Sequence, residues 1–258
     1  MQQAFRIDYY VGKRPQRLSN VTLVSPSLLW VTTGSKRLFW KEDTLDLNAS
    51  KLLLLSGRTR LTFENLPEQY RFQSCQISLF EPPDEQQLRY SQHTQPSSGP
   101  WITLTPPLVQ TLELLKTLKL SALSLQVQSY WLKALYQQLA EQGVLHWLFP
   151  ESQSSTSQAL AEYFSIAPGQ PHSLLDACQH FGLSRATLLR RLHQENTRFR
   201  DILSDVRMSY AIYLMQQGER KLIDLALRCG YQSPQRFSQR FEKQFGVSVS
   251  RYMATLPN

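Results

Sequence analysis

Cysteine, histidine and acidic side chains are scarce in this 258-residue chain, and each shortage closes off a class of function. The three cysteines, Cys75, Cys178 and Cys229, stand far apart with no metal-ligand spacing, which excludes a zinc cluster or a disulfide framework. They read as reduced, buried thiols or, alternatively, as a redox-sensing pair. Only His93 and His146 precede the polar stretch at 150–157, and neither lies in a strand-like segment, so clustered histidines for an iron-type centre are missing there. A glycine-rich phosphate loop and a histidine-based nucleophile constellation are missing too, so neither a cofactor nor catalysis is expected. No apolar run is long enough to cross a bilayer and no basic-apolar leader follows Met1, which leads to the expectation of a cytoplasmic protein.

The acidic shortage, 20 Asp+Glu against 28 Lys+Arg, leaves a net charge of +8 that favours polyanionic partners. From Gln158 onward 13 basic residues oppose 8 acidic ones, against 15 and 12 before it, so the excess is concentrated late. Length and a 41% hydrophobic, 19% charged composition suit a folded protein of two domains.

The late half is organised around Leu222 to Tyr252. Ile223, Leu225, Ala226 and Leu227 give a short helix an apolar side, and Gly230 stands where a turn needs a left-handed backbone. Ser233 caps and Pro234 opens the next helix, in which Phe237, Phe241 and Phe245 recur every four residues as the expected buried stripe. Gln235, Arg236, Gln239, Arg240 and Lys243 fall off that stripe. Long amide and guanidinium side chains beside cations on one helix face are what reading a DNA major groove requires.

The same pattern occurs once before. Gln158 to Ser165 predicts a leading helix, Ser173 caps Leu174 to Phe181, and Gly182-Leu183-Ser184 turns the chain into Arg185 to Gln194. Cys178 corresponds to Ala226, Gly182 to Gly230 and Leu192 to Phe241. Leu188 and Leu192 are expected inward, leaving Arg185, Thr187, Arg190 and Arg191 outward, with Ser184 at the helix start. Asn196 tolerates a left-handed turn. Phe199 to about Gly218 then predicts one helix of roughly 30 Å, near the ~34 Å of a DNA turn. Its ends could set two recognition helices in successive major grooves, with Lys221, Lys243 and helix amino termini on phosphates.

The run from Ile223 through Ala226-Leu227, Cys229-Gly230-Tyr231, Ser233-Pro234, Phe237-Ser238, Phe241 and Phe245-Gly246-Val247-Ser248 to Arg251-Tyr252 resembles the signature of AraC/XylS transcriptional regulators. Gln239 stands where many members carry arginine, which bears on base preference. The resemblance implies a bacterial, sequence-specific regulator of double-stranded DNA that contacts RNA polymerase.

Before Pro150 the chain reads differently. From Phe5 to Phe80, short apolar runs alternate with turns such as Thr33-Gly34-Ser35 and Ser56-Gly57, predicting a small β barrel or sandwich. Leu28-Leu29-Trp30-Val31 with Leu52 to Leu55 is similar to the cupin-like sensory half of AraC-type regulators. Trp30, Phe39, Trp40, Phe63 and Phe72 line an effector pocket in one reading and are plain core in the other. Glu81 to Pro100 reads as a polar loop. Val109, Leu112, Leu115 and Leu118, then Leu125, Tyr130, Trp131, Leu135 and Leu139, predict two helices within 106–142 that either cover the barrel or, as the resemblance implies, form a homodimer. The expected fold is therefore α+β: a cupin-like β domain with a helical pair (1–149), a linker (150–157), and an all-α domain of two helix-turn-helix units on a long helix (158–258). The rival reading is an alkyl-transfer repair enzyme with an attached DNA module, which needs a thiolate activated beside a base or a zinc cluster.

Overall fold

The structure, a computed structural model, describes residues 3–40, 43–93, 99–150 and 155–257. Two antiparallel sheets form the amino-terminal half. One orders β1 (Phe5–Gly12), β8 (Phe72–Leu79), β3 (Ser27–Thr33), β6 (Lys51–Leu55) and β9 (Trp101–Thr103); the other orders β2 (Gln16–Thr22), β7 (Arg60–Leu66), β4 (Ser35–Trp40) and β5 (Asp43–Leu47). Strand alternation decides which way each side chain faces. Leu29, Val31, Leu53 and Leu55 turn toward the second sheet, while Leu28, Trp30, Leu52 and Leu54 turn the other way, toward helices. Because β3 and β6 are buried on both faces, they read in the sequence as unbroken apolar runs.

The covering helices are α1 (Glu85–His93), α2 (Pro106–Thr117), α3 (Leu125–Glu141) and α4 (Leu145–Leu148). Two expectations are corrected here. The polar segment from Glu81 to Pro100, read as a loop, contains α1; positions 94–98 of it lie outside the described residues. This helix offers little apolar surface and docks through polar contacts, Gln87 Nε2 donating to the Lys133 carbonyl (3.1 Å) and Ser91 Oγ meeting His146 Nδ1 (2.9 Å). In α3 the inward face is Leu132, Leu135, Tyr136 and Leu139 with Gln128, whereas Leu125 and Tyr130 are exposed. Gln128 can be buried because its Oε1 accepts from Ala4 N–H and its Nε2 donates to the carbonyls of Leu120 and Leu123.

The carboxy-terminal half is helical: α5 (Thr156–Ile166), α6 (Leu174–Phe181), α7 (Arg185–Gln194), α8 (Phe199–Gln216), α9 (Leu222–Arg228), α10 (Pro234–Phe245) and α11 (Val249–Met253). Serine caps start five of them, Ser155 at α5 included. Ser173, Ser184, Ser233 and Ser248 each accept a backbone N–H three residues on, a contact worth about 1 kcal/mol. The expected linker falls partly on positions 151–154, outside the described residues; its last residues are helical, because Ser155 caps α5.

The two halves are not separate cores. The barrel interior (Leu18, Leu29, Leu38, Leu61, Phe63) is continuous with the core of the last helices (Met208, Leu225, Phe237, Phe241), while the first helix-turn-helix has its own cluster around Phe164, Leu188 and Leu192. Polar ties cross the boundary. Asp205 on α8 accepts from Arg58 Nη2 (3.1 Å) and Arg60 Nη2 (3.3 Å), Ser209 Oγ donates to the Thr22 carbonyl, Val11 N–H donates to Gln216 Oε1, and Gln16 Nε2 donates to Thr255 Oγ1.

Candidate nucleic-acid interface and interdomain cavity

Two helix-turn-helix units hang on α8. In each, the first helix ends at a glycine with positive φ, Gly182 at 62° and Gly230 at 75°, and a serine cap opens the second. Phe237, Phe241 and Phe245 are buried, and Phe241 meets Phe245 edge-on with ring centroids 4.7 Å apart. Leu188 and Leu192 fill the same role in α7. Ile223 and Leu227, expected inside, are more than 60% exposed; only Leu225 and Ala226 of that set are buried, since a seven-residue helix presents barely two turns to the core.

With those stripes inward, Arg185, Arg190 and Arg191 are exposed on α7, as are Gln235, Arg236, Gln239 and Lys243 on α10 and Lys221 just before α9, while Thr187 is half-buried. Arg240 differs from its neighbours. It is half-buried, and its Nε donates to Ser204 Oγ on α8 at 2.5 Å, so it braces α10 against the long helix. Ser184 and Ser233 hold helix amides, accepting from Thr187 N–H (3.1 Å) and Arg236 N–H (3.3 Å). The 18 residues of α8 span about 27 Å.

The five aromatic residues read as pocket lining do not converge. Trp30 faces the covering helices, donating Nε1–H to the Ala49 carbonyl (3.0 Å), because its strand position points away from the barrel interior. Phe39 lies on the outer face of its sheet with Arg17 stacked at 4.8 Å. Trp40 borders a groove with Pro100 and Trp147, and Phe72 is core. Phe63 alone of the five lines an interdomain cavity of about 360 Å³ between strands of both sheets and α8. Its wall includes Leu18, Leu29 and Leu61 from the barrel and Tyr210, Ile212 and Tyr213 from α8.

Sequence reasoning missed Lys36, which projects into that cavity. Its ammonium sits 3.6 Å from the centroid of the Phe63 ring and donates to Asn65 Oδ1. Lys36 is 4% exposed, and burial pulls its pKa from 10.5 down to about 7. Among the described residues, the cavity wall contains Lys36 and Arg6 but no carboxylate, and Thr22 Oγ1 lies buried there with no partner. The signal was present: in β4, Lys36 and Leu38 share the inward register.

Two of the three thiols are held protonated by the same physics. Burial pushes Cys75 and Cys229 up to about 12, the reverse of an activated nucleophile. Among the described residues, no group of three or more metal-ligating side chains gathers, and no helix is long and apolar enough to cross a membrane.

A pair of helix-turn-helix units with basic, amide-rich outer faces, joined by one long helix, defines a DNA-binding domain. A family described as a helix-turn-helix domain matches residues 177–255. The HTH-type transcriptional regulator YdeO of Escherichia coli K12 is 35% identical over 97 residues, 38% of either chain, and the TCP pilus virulence regulatory protein of Vibrio cholerae is 32% identical over 81 residues, 31% of this chain and 29% of its own. The chain thus aligns with about a third of the length of these curated relatives. ToxT from Vibrio cholerae shares the whole fold, with a TM-score of 0.65 over 99% of this chain and 100% of its own at 16% identity. Residues 177–255 thus form an AraC-type helix-turn-helix domain, similar to that of these transcriptional regulators.

Proposed function

We propose that the protein is a sequence-specific transcriptional regulator, not an enzyme, in which α7 and α10 enter successive major grooves and the interdomain cavity takes a small anionic amphiphile as effector. The observation that supports DNA reading most directly is that Arg190 on one candidate recognition helix and Gln235, Arg236 and Gln239 on the other are all exposed, in two helix-turn-helix units joined by an 18-residue helix. Lys221 and Lys243 are positioned for phosphate. Selection from randomised duplexes by the full-length protein tests the reading; two conserved sub-sites about one turn apart are expected, and uniform recovery of all sequences would refute it.

The effector reading rests on the buried Lys36 in a space of mixed apolar and neutral polar lining that, among the described residues, holds no carboxylate. An anionic head group would pair with Lys36, and an acyl or aryl body would fill the space beside Phe63, Leu18 and Ile212. ToxT, whose fold the chain shares, has been solved bound to an unsaturated fatty acid, which suits that chemistry. Contact with RNA polymerase follows from the family, and a homodimer would use α2 and α3, where Leu114, Leu125, Val127 and Tyr130 are exposed. A cytoplasmic site of action fits a DNA partner.

A further inference from the structure

The two helix-turn-helix units also touch each other directly, beside the middle of α8. Residues 167–173, between α5 and α6 of the first unit, lie against the turn of the second. The approach is so close that a Cβ on Gly169 would fall 2.3 Å from the Arg228 carbonyl oxygen, and one on Gly230 would fall 2.8 Å from the Gly169 carbonyl oxygen. Arg207, from the middle of α8, fills the corner where these segments meet. Its Nε donates to the Pro168 carbonyl and its Nη2 to the Gln170 carbonyl, both at 3.0 Å. Its guanidinium carbon lies 5.9 Å from the Tyr231 ring centroid, and a Cβ on Gly230 would meet Nη2 at 2.5 Å.

Two bodies joined by a single helix can rock about its ends, here the Asn196 turn and Gly218. A lateral contact closes the arrangement into a triangle of α8, the 167–173 loop and the Gly230 turn. Arg207 bonds to the loop and packs on the turn, so it fixes both the angle and the separation of α7 and α10. On B-DNA a change of one base pair between sub-sites moves them by about 3.4 Å and turns them by about 34°. A rigid pair of readers rejects such a change, and a rocking pair accepts it.

We infer that Arg207 is a positioning residue which sets the number of base pairs the protein accepts between its two sub-sites. The inference rests on the DNA-reading function proposed above and adds to it a determinant that touches no base.

The test uses the full-length protein and duplexes carrying the two selected sub-sites with one or two base pairs inserted or removed between them. Wild type is expected to lose affinity roughly ten- to hundredfold for a one-pair change, comparable to a mismatched base pair. Arg207→Ala is expected to lose only a few-fold, while its base preferences inside each sub-site and its binding to a duplex with a single sub-site stay as in wild type. Arg207→Lys, which replaces the planar fork of the guanidinium by a single ammonium, is expected between the two. Gly169→Ala keeps Arg207 but drives a methyl onto the Arg228 carbonyl, and is expected to displace the preferred spacing. Should Arg207→Ala fail to fold by circular dichroism, the lysine and Gly169 variants carry the same comparison. An Arg207 variant that keeps wild-type spacing selectivity overturns the inference. So does a wild type that selects both sub-sites yet tolerates every spacing, whereas a wild type that selects no sequence overturns the DNA-reading function itself.

Discussion

Replacing Lys36 by methionine removes a charge from a site that burial has made hostile to it. The lysine pKa falls from 10.5 to about 7, with desolvation as its cause, which corresponds to about 3–5 kcal/mol between the two protonation states. The folded-state pKa is depressed, so between pH 7 and pH 10.5 the unfolded chain holds a proton that the native chain has released, and stability rises with pH across that window. Below pH 7 both states are protonated and the full penalty stands. The substitution also deletes the hydrogen bond to Asn65, a loss of about 1 kcal/mol. Lys36→Met is therefore expected to stabilise the effector-free protein by about 2–4 kcal/mol at pH 6.5. The gain should vanish near pH 10, where the native lysine is neutral in any case.

Urea unfolding of both proteins at half-unit steps from pH 6 to pH 10 reads the difference directly. Other buried groups, such as the Tyr252 hydroxyl, cancel between the two curves. The same arithmetic governs an anionic effector. At pH 8 the empty site holds mostly neutral lysine, so seating a carboxylate beside it should draw in nearly one proton per site, visible as a buffer-dependent heat in titration calorimetry. Parallel stability curves for wild type and Lys36→Met, or effector binding without proton uptake, would refute the assignment of Lys36 as the head-group partner.

Asp205→Ala is expected to cost about 3–5 kcal/mol, because it leaves the mostly buried Arg58 without its partner; faster proteolysis within 151–157 checks that the halves have parted. Phe241→Ala should destabilise by about 3–5 kcal/mol, since the ring is fully buried between Phe237, Phe245 and Tyr252, and thermal melting measures it. Arg190→Ala should remove discrimination worth about 1–3 kcal/mol at one or two base positions, whereas Lys243→Ala should weaken all sequences alike and lower the salt slope by about one; selections on randomised duplexes separate the two outcomes.

Local chemistry made the carboxy-terminal half legible. Ser173, Ser184 and Ser233 as caps, Gly182 and Gly230 at turns, and apolar residues four apart each act within one or two helical turns, so no tertiary information is needed to read them. Where an element depends on its neighbours the reading failed. In Glu85–His93 the docking contacts are a glutamine and a serine, which carry no hydrophobic period, and Trp101–Thr103 is a strand only because β6 offers it an edge. Trp30 was misdirected for a related reason: a strand buried on both sides shows no alternation, so nothing in Leu28-Leu29-Trp30-Val31 tells which pair faces the cavity.

The contact between the halves was the least legible feature, and its cause lies in α8. Asp205, Ser209 and Gln216 recur at helical spacing, and polar residues in that pattern read as a solvated face. Here they face the barrel, because Arg58, the Thr22 carbonyl and the Val11 backbone supply the partners that make burying them tolerable. Those partners come from two strands and the turn before β7, about 150 to 200 positions earlier in the chain, a separation no periodicity spans. The same helix carries the hydrophobic residues of both helix-turn-helix cores, so it is packed on several sides at once. One wall of the Lys36 cavity is thus formed by the element that spaces the two recognition helices. A molecule seated against Tyr210, Ile212 and Tyr213 touches α8 and none of the exposed side chains of α7 and α10 proposed to read DNA, so effector control on the proposed reading has α8 as its shortest physical route.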